Sequence, residues 1–318
     1  MICTDVSART ISVDGLRVRM IEAVPERERD EPVLLIHGLG GWAENWSAVM
    51  PAIAESGRRA IAIDLPGFGE SERARAPRYF DADAPFYGRF FVALLDALGA
   101  RRVHLAGHSF GGAVAFTSAI WAPERLRSLT LVAPGGIGTA LPAGFRFLVL
   151  PFMEHITRWR RSPQITRAVV HSCFFDPARC PEEVVQQAER YGAPSVGEMI
   201  RVLRAGVSFR RGIRDEVRRP WLDRRERYAG PVLLLWGRED RILPASLVED
   251  VRLLAPDAEV RVIPSCGHLV MVERPREFTD AFLPFLDRAS HQEWGVPAGG
   301  GRPPRQASGP SSGTMGDR

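Results

Sequence analysis

Residues 102–122 read RVHLAGHSFGGAVAFTSAIWA. The first part is a short apolar run ended by glycine, which is typical of a buried strand. The last part is a longer apolar run that predicts a helix. Between them, GHSFG at 107–111 matches the pattern in which a serine stands on a sharp strand-to-helix turn and projects its hydroxyl group above a sheet. The pattern predicts that Ser109 is a nucleophile, and the alternative is a simple glycine turn in which Ser109 caps the helix.

Short apolar runs that predict buried strands recur on both sides of this stretch, at 33–38, 58–64, 128–134, 231–237 and 259–264. Helical patterns lie between them, and the clearest covers 85–99. Apolar strands that alternate with helices predict a mostly parallel sheet with helices on both faces. Near the N-terminus, residues 10–24 alternate polar and apolar around Asp14-Gly15, which predicts a hairpin with a type I′ turn.

The strand–helix alternation stops between about Gly138 and Tyr228, where helical patterns occur at 181–192 and 195–209 without a clear strand. A helical cap inserted after the sixth strand explains this break. We therefore expect the sheet domain to comprise 1–137 and 229–290, and the cap 138–228. Residues 291–318 are rich in Gly, Pro and Ser, and they are expected to be disordered because they cannot bury enough apolar surface.

The composition is that of a globular protein with a formal net charge of +4. All 42 basic residues are arginine, so a phosphate-binding loop of the GxxxxGK[ST] type is impossible. No Cys/His cluster has the spacing of a zinc site, and no aromatic–basic pattern or motif points to a nucleic acid. We expect no cofactor, no metal and no nucleic acid partner.

The N-terminal segment lacks the layout of a signal peptide, and the apolar run around 145–153 is far shorter than the ~20 residues that span a bilayer. These observations predict a cytoplasmic protein that does not insert into a membrane. The cysteines are expected to be reduced thiols, although Cys173 and Cys180 could pair in an exported protein.

A serine nucleophile needs a base, and the base needs a third group that orients it. His268 follows the last predicted strand, and Asp240 follows the strand before it. The chain order serine, acid, histidine fits a strand–turn–helix nucleophile, so His268 is predicted to be the base and Asp240 the acid. Glu239 remains the alternative acid.

The oxyanion of a tetrahedral intermediate needs amide donors. The N–H of Phe110, directly after the nucleophile, is predicted to be one donor. The N–H of Leu39, in the glycine-rich loop HGLGG at 37–41, is predicted to be the other. His37 is expected to brace this loop rather than transfer protons. The residues predicted to lie against the substrate are Gly38, Gly40 and His108.

From about residue 10 to 288 the chain resembles the α/β-hydrolase superfamily. The matching motifs are HGLGG (37–41), DLPGFGES (64–71), GHSFGG (107–112), WGREDRILP (236–244) and SCGHLVMVERP (265–275). The resemblance implies the α/β-hydrolase fold and a Ser-Asp-His triad. It also implies that 64–71 is a structural loop near the site entrance and that 138–228 shapes the substrate pocket.

Dehalogenases and epoxide hydrolases of this fold carry aspartate at the position of Ser109, so serine indicates acyl chemistry on a small-molecule substrate. The expected activity is hydrolysis of carboxylic esters through an acyl-enzyme. An acyltransferase is an alternative, as is a hydrolase of carbon–carbon bonds in ring-cleavage products, whose GNSxGG loop is similar except for His108. The alternative of another class is an idle scaffold that acts as a binding protein.

Between residues 137 and 228 the chain carries 17 arginines against 10 acidic residues. This excess indicates either a solvated basic face or attraction of an anionic substrate. The second interpretation predicts that some arginines face the pocket above Ser109. The candidates are Arg146, Arg158, Arg160, Arg161, Arg167, Arg201, Arg204, Arg210 and Arg211.

Overall fold

The computed structural model describes residues 6–136, 141, 143–159 and 162–295. The strands in these residues are β1 (Val6–Val13), β2 (Leu16–Ala23), β3 (Val33–Ile36), β4 (Ala60–Ile63), β5 (Val103–His108), β6 (Leu126–Val132), β7 (Val207–Ser208), β8 (Gly212–Ile213), β9 (Val232–Gly237) and β10 (Glu259–Ile263). The helices are α1 (Met50–Glu55), α2 (Phe86–Leu98), α3 (Phe110–Trp121), α4 (Ala143–Leu148), α5 (Met153–Trp159), α6 (Pro163–Ser172), α7 (Glu182–Gln187), α8 (Ala193–Gly206), α9 (Asp215–Arg224), α10 (Val248–Arg252), α11 (Val270–Glu273) and α12 (Pro275–His291).

Eight strands form one sheet in the order β1-β2-β4-β3-β5-β6-β9-β10. The β1–β2 and β2–β4 pairs are antiparallel, and the other pairs are parallel. This arrangement confirms the predicted mostly parallel sheet. The four central strands β4, β3, β5 and β6 are buried along their whole length, because helices cover both faces.

Successive side chains of β3 point to opposite faces of the sheet and join different parts of the core. Leu34 and Ile36 pack in the cluster that contains the aromatic side chains of α2 and α3. Val33 and Leu35 pack in the cluster formed with α1 and α12. The sheet is therefore the middle layer of a three-layer domain.

The turns follow the local sequence. Asp14 and Gly15 have φ angles of 48° and 79°, so both adopt the positive φ that a type I′ hairpin turn requires. Helix α2 ends at Gly99, whose φ of 67° closes the helix in the left-handed conformation.

Between β6 and β9 the chain forms helices α4 to α9, as expected for a helical insertion after the sixth strand. The expectation that this region has no strand is wrong, because β7 and β8 pair as a short antiparallel hairpin. The predicted helix over 195–209 accordingly ends at Gly206. Two-residue strands show no alternation from which a sequence could predict them. The limits of cap and core remain predictions, since 137–140, 142 and 160–161 lie outside the described residues.

The residues at the two ends of the chain, 1–5 and 296–318, are also outside the described part, and they include Cys3 and most of the predicted tail. Cys173, Cys180 and Cys266 are free thiols. Among the described residues, no helix combines the length and the apolar character needed to cross a bilayer.

Candidate active site

Ser109 stands on the turn that joins β5 to α3, with φ 52° and ψ −120°. A positive φ is strained for a residue with a side chain, so the surrounding bonds must hold it. The amide N–H of Ser109 donates to Val132 O at 2.8 Å, and its carbonyl accepts from Gly112 N at 2.9 Å and Gly135 N at 2.8 Å. The turn is therefore fixed by the neighbouring strand β6 and by the first turn of α3.

The glycines of the motif are required by close backbone contacts around this turn. A Cβ atom on Gly107 would lie 2.1 Å from Gly111 O, and one on Gly111 would lie 2.4 Å from His37 O. On the other side, a Cβ on Gly38 would lie 3.0 Å from the Cβ of Ser109. The loop at 37–41 thus packs directly against the serine turn.

His268 and Asp240 follow β10 and β9, so all three predicted triad positions lie at the carboxyl ends of parallel strands. The Nδ1 atom of His268 is 2.7 Å from Asp240 Oδ2, and both side chains are buried. The other carboxylate oxygen of Asp240 accepts the N–H groups of Ile242 and Leu243, each at 2.8 Å. Asp240 is therefore held in place independently of the histidine.

Glu239, the alternative acid, turns away from the histidine ring. Its Oε2 accepts the N–H of Cys266 at 3.0 Å, and its own N–H donates to Cys266 O at 3.0 Å. Glu239 thus supports the backbone of the histidine loop, and Asp240 is the carboxylate in contact with the ring.

His37 holds the glycine loop, as expected. Its Nε2 accepts the N–H of Leu65 at 3.0 Å, so Nδ1 carries the proton and donates to Gly38 O at 2.7 Å. Burial lowers the pKa of His37, which keeps the ring neutral and this pattern of bonds intact.

His108 lies beneath the histidine loop. Its Nε2 donates to the backbone carbonyl of His268 at 2.9 Å, and the centroids of the two rings are 4.6 Å apart. Burial lowers the pKa of His108 well below the usual range for histidine, and the neighbouring His268 adds to this effect. A neutral His108 can support the loop without placing a second positive charge beside His268.

A cavity of about 620 Å³ opens at Ser109. Its wall contains the predicted oxyanion residues Leu39 and Phe110, and apolar side chains that include Phe145 and Trp221. Apart from Ser109, the only polar side-chain group in the described lining is the indole N–H of Trp221, which donates to Thr117 Oγ1 at 3.1 Å. The residues Gly38, Gly40 and His108, predicted to contact substrate, are not part of this lining.

A family model described as the alpha/beta hydrolase fold matches residues 31–275. This chain belongs to that family. The match covers the strands that carry Ser109, Asp240 and His268, so the resemblance seen in the motifs is confirmed.

Among curated proteins, the chain is 34% identical over 260 residues to a Pseudomonas putida dihydrolipoyllysine-residue acetyltransferase component of an acetoin cleaving system. That alignment covers 81% of this chain but only 64% of the relative. The chain is also 28% identical over 278 residues to a Pseudomonas sp. 2-hydroxy-6-oxononadienedioate/2-hydroxy-6-oxononatrienedioate hydrolase. That alignment covers 81% of this chain and 89% of the relative.

Solved structures that share the fold include two that are more than 25% identical to this chain. The 2-hydroxy-6-oxo-6-phenylhexa-2,4-dienoate hydrolase of Rhodococcus sp. is 26% identical, with a TM-score of 0.72 over 91% of this chain and 99% of that one. A membrane phospholipase A, titled a novel bacterial virulence factor, is 28% identical, with a TM-score of 0.70 over 89% of this chain and 86% of that one. Two of these four proteins are named hydrolases, one a phospholipase and one an acetyltransferase component.

The expectation that arginines of the insertion face the pocket is not met, because no arginine lines the cavity among the described residues. Arg146 donates to the carbonyls of residues 209 and 210, and Arg204 to those of 149 and 150. Arg167 pairs with Glu182, and Arg201 with Glu198. Arg210 and Arg211 are exposed. The side chain of Arg158, and Arg160 and Arg161 entirely, lie outside the described part.

The predicted structural loop at 64–71 follows β4 and packs between the sheet domain and the helical insertion. Asp64 is fully buried and accepts the N–H groups of Ala43 at 2.8 Å and Glu70 at 2.9 Å. Sequence reasoning missed Glu198 of α8, which is also buried and binds Tyr79 and, at 3.0 Å, Arg73. The position of Glu198 against the loop at 64–71 shows that it joins this loop to α8, and only the fold reveals that position.

The buried histidines make a prediction for stability. Burial lowers the pKa values of His37, His104 and His108 below the unperturbed value of 6.5. Below that pH the unfolded chain binds more protons than the folded protein, so the free energy of unfolding should fall as the pH falls. Between pH 7.5 and 5.5 we expect a loss of about 1.4 kcal/mol for each histidine that stays neutral when folded.

Urea unfolding at the two pH values measures this loss. His104→Gln should weaken the pH dependence, and the exposed His291→Gln should leave it unchanged. Equal unfolding free energies of the wild-type protein at both pH values would contradict the prediction.

Proposed function

We propose that this chain is a serine hydrolase that cleaves carboxylic esters of apolar acyl groups through an acyl-enzyme on Ser109. The observation that carries the proposal is the position of Ser109, on a strained strand-to-helix turn in the wall of an apolar cavity. The largely apolar lining suits the apolar part of a small-molecule substrate. The contact between His268 and Asp240 supports their proposed roles as base and acid.

In the proposed reaction, Asp240 keeps the proton of His268 on Nδ1, which leaves Nε2 free to accept the proton of Ser109. The serine oxygen attacks the ester carbonyl, and the N–H groups of Leu39 and Phe110 stabilise the oxyanion. The protonated His268 then gives its proton to the departing alcohol. Water, activated by the same histidine, attacks the acyl-enzyme and releases the carboxylic acid.

Hydrolysis of a carbon–carbon bond is a second candidate, favoured by the names of relatives such as the Rhodococcus dienoate hydrolase. A dienoate carries a carboxylate, and a carboxylate in an apolar cavity needs a cation or several hydrogen-bond donors. The described side chains of the lining offer neither, because none of them is basic and the indole N–H of Trp221 is already bonded to Thr117. The apolar lining therefore favours the ester.

Acyl transfer is a third candidate, favoured by the relative that is 34% identical. It would use the same acyl-enzyme on Ser109, with another acceptor in place of water. Adding thiols and alcohols to an ester assay separates the two outcomes. A transferase forms the new ester or thioester in preference to the free acid, and we expect the free acid.

A matched pair of substrates tests the proposed specificity. A p-nitrophenyl ester of a neutral acyl chain should exceed the ester of equal length that ends in a carboxylate by about 100-fold in kcat/KM, because burying an unpaired carboxylate costs several kcal/mol. The ratio should be insensitive to salt. Equal kcat/KM values for the two esters, or a higher value for the carboxylate ester, would contradict the proposed apolar specificity and favour recognition of the substrate by arginine. A ring-cleavage dienone assayed in parallel tests the carbon–carbon candidate.

A further inference from the structure

The loop at 265–268 carries His268 and is held from several directions. A hydrogen bond reaches each of its residues from outside the loop. The contacts from the sheet domain are Glu239 with Cys266 N, Arg274 Nε with Ser265 O at 2.9 Å, and His108 Nε2 with His268 O. The loop is thus much more constrained than an ordinary surface turn.

Two further contacts come from the helical insertion, at the turn after α6. The N–H of His268 donates to Cys173 O at 2.7 Å. Gly267 packs against the same carbonyl so closely that a Cβ atom would lie 2.5 Å from it. The segment at 173–176 is therefore in direct contact with the backbone of the predicted base.

Glu273, in α11, joins these two segments. One oxygen of its carboxylate accepts the N–H of Gly267 at 2.7 Å and that of Phe175 at 3.1 Å, and the other accepts the N–H of Asp176 at 3.0 Å. The residue is only 6% exposed. Among the described residues no arginine pairs with it, since the adjacent Arg274 binds Ser265 O and Glu277.

We propose that Glu273 is a positioning residue, which binds the histidine loop to segment 173–176 and so holds His268 in line with Asp240. This proposal rests on the proposed function of His268. The carboxylate oxygens of Glu273 accept hydrogen bonds from amides of both the histidine loop and segment 173–176. They therefore fix the distance between the loop and the helical insertion. The helical insertion then supports the base as well as covering the cavity.

The alignment of His268 is sensitive to this contact because Asp240 is anchored separately. The N–H groups of Ile242 and Leu243, neither of which belongs to the histidine loop, bind the carboxylate of Asp240. A shift of the loop therefore changes the geometry between His268 and Asp240 rather than moving both together. Misplacement by about 1 Å can cost about 10²-fold in rate.

The test compares Glu273→Ala and Glu273→Gln with a matched control, Glu55→Gln, which alters an exposed glutamate on α1. For an ester substrate, Glu273→Ala should lower kcat by about 10²-fold with little change in KM. Glu273→Gln keeps one acceptor oxygen, so it should restore part of kcat. Glu55→Gln should behave as wild type.

A readout that does not depend on activity is the low-field proton NMR signal of the His268 Nδ1–H bonded to Asp240, assigned by its loss in His268→Ala. This signal should broaden or disappear in Glu273→Ala and remain in Glu55→Gln. A folded Glu273 variant, alanine or glutamine, with wild-type kcat and an unchanged signal would overturn the proposal. If Ser109→Ala keeps full activity while the signal still depends on Glu273, the proposed function fails and the positioning role stands.

Discussion

Ser109→Ala is expected to lower kcat for an ester substrate by about 10⁴- to 10⁶-fold and to leave the fold intact. The loss is large because triad members act as a unit, so removing the nucleophile also idles His268 and Asp240. The fold should survive, since the turn is held by backbone bonds to Val132, Gly112 and Gly135. Steady-state kinetics and circular dichroism of the purified variant measure both outcomes. His268→Ala should cost nearly as much.

The matched control is Ser118→Ala, which removes the hydroxyl group of a buried serine in α3, the helix that follows Ser109. Its Oγ donates to Val114 O at 2.9 Å and does not line the cavity. This variant should keep wild-type kcat. Wild-type esterase rates in Ser109→Ala would refute the mechanism.

Asp240→Asn should lower kcat by about 10⁴-fold, because the amide reverses the proton position on His268. The oxygen of asparagine can keep the bonds to Ile242 N and Leu243 N, which directs its NH₂ group at Nδ1 of the histidine. Nδ1 must then accept a hydrogen bond, so the proton moves to Nε2. The ring can no longer accept the proton of Ser109.

Glu239→Gln is the control for the neighbouring carboxylate. Glutamine can still accept the N–H of Cys266 through its amide oxygen, so we expect only a small loss of kcat. A larger loss in Glu239→Gln than in Asp240→Asn would make Glu239 the catalytic acid. The two variants have the same change in charge and chemistry, which makes the comparison direct.

The sheet could be predicted closely from the sequence because its central strands are buried on both faces. The runs at 33–38, 58–64 and 128–134 differ from β3, β4 and β6 by at most two residues at either end. Buried parallel strands are continuous apolar runs, which stand out between charged loops. The hairpin at 207–213 could not be predicted, since its strands are two residues long.

The side chains nearest the chemistry were accessible to sequence reasoning because each follows a predicted strand. The contact of His268 with Asp240 agrees with their assignment as a pair, and the roles of the triad remain predictions for the variants above. The structure differs at supporting positions. His108 was expected beside the substrate, yet the sequence around it gives no sign of which way its ring turns.

The supporting roles of Glu198 and Glu273 could not be predicted from the sequence either. Each is a glutamate in a helical segment, which usually indicates an exposed face, and each is buried because distant amides or arginines surround it. For the arginines of the insertion, the sequence suggested a functional role that the structure does not support. Their number suggested anion recognition, but Arg146 and Arg204 bind backbone carbonyls and Arg167 pairs with a glutamate. Only tertiary contacts decide between these possibilities.

If Ser109 is an activated nucleophile, a fluorophosphonate should label it covalently. The reagent reacts with an activated serine and leaves an idle hydrolase scaffold unmodified. We predict one adduct per chain by intact mass, mapped to the peptide that contains Ser109, absent in Ser109→Ala and strongly slowed in His268→Ala. An unlabelled wild-type protein, or an adduct that persists in Ser109→Ala, would contradict the account.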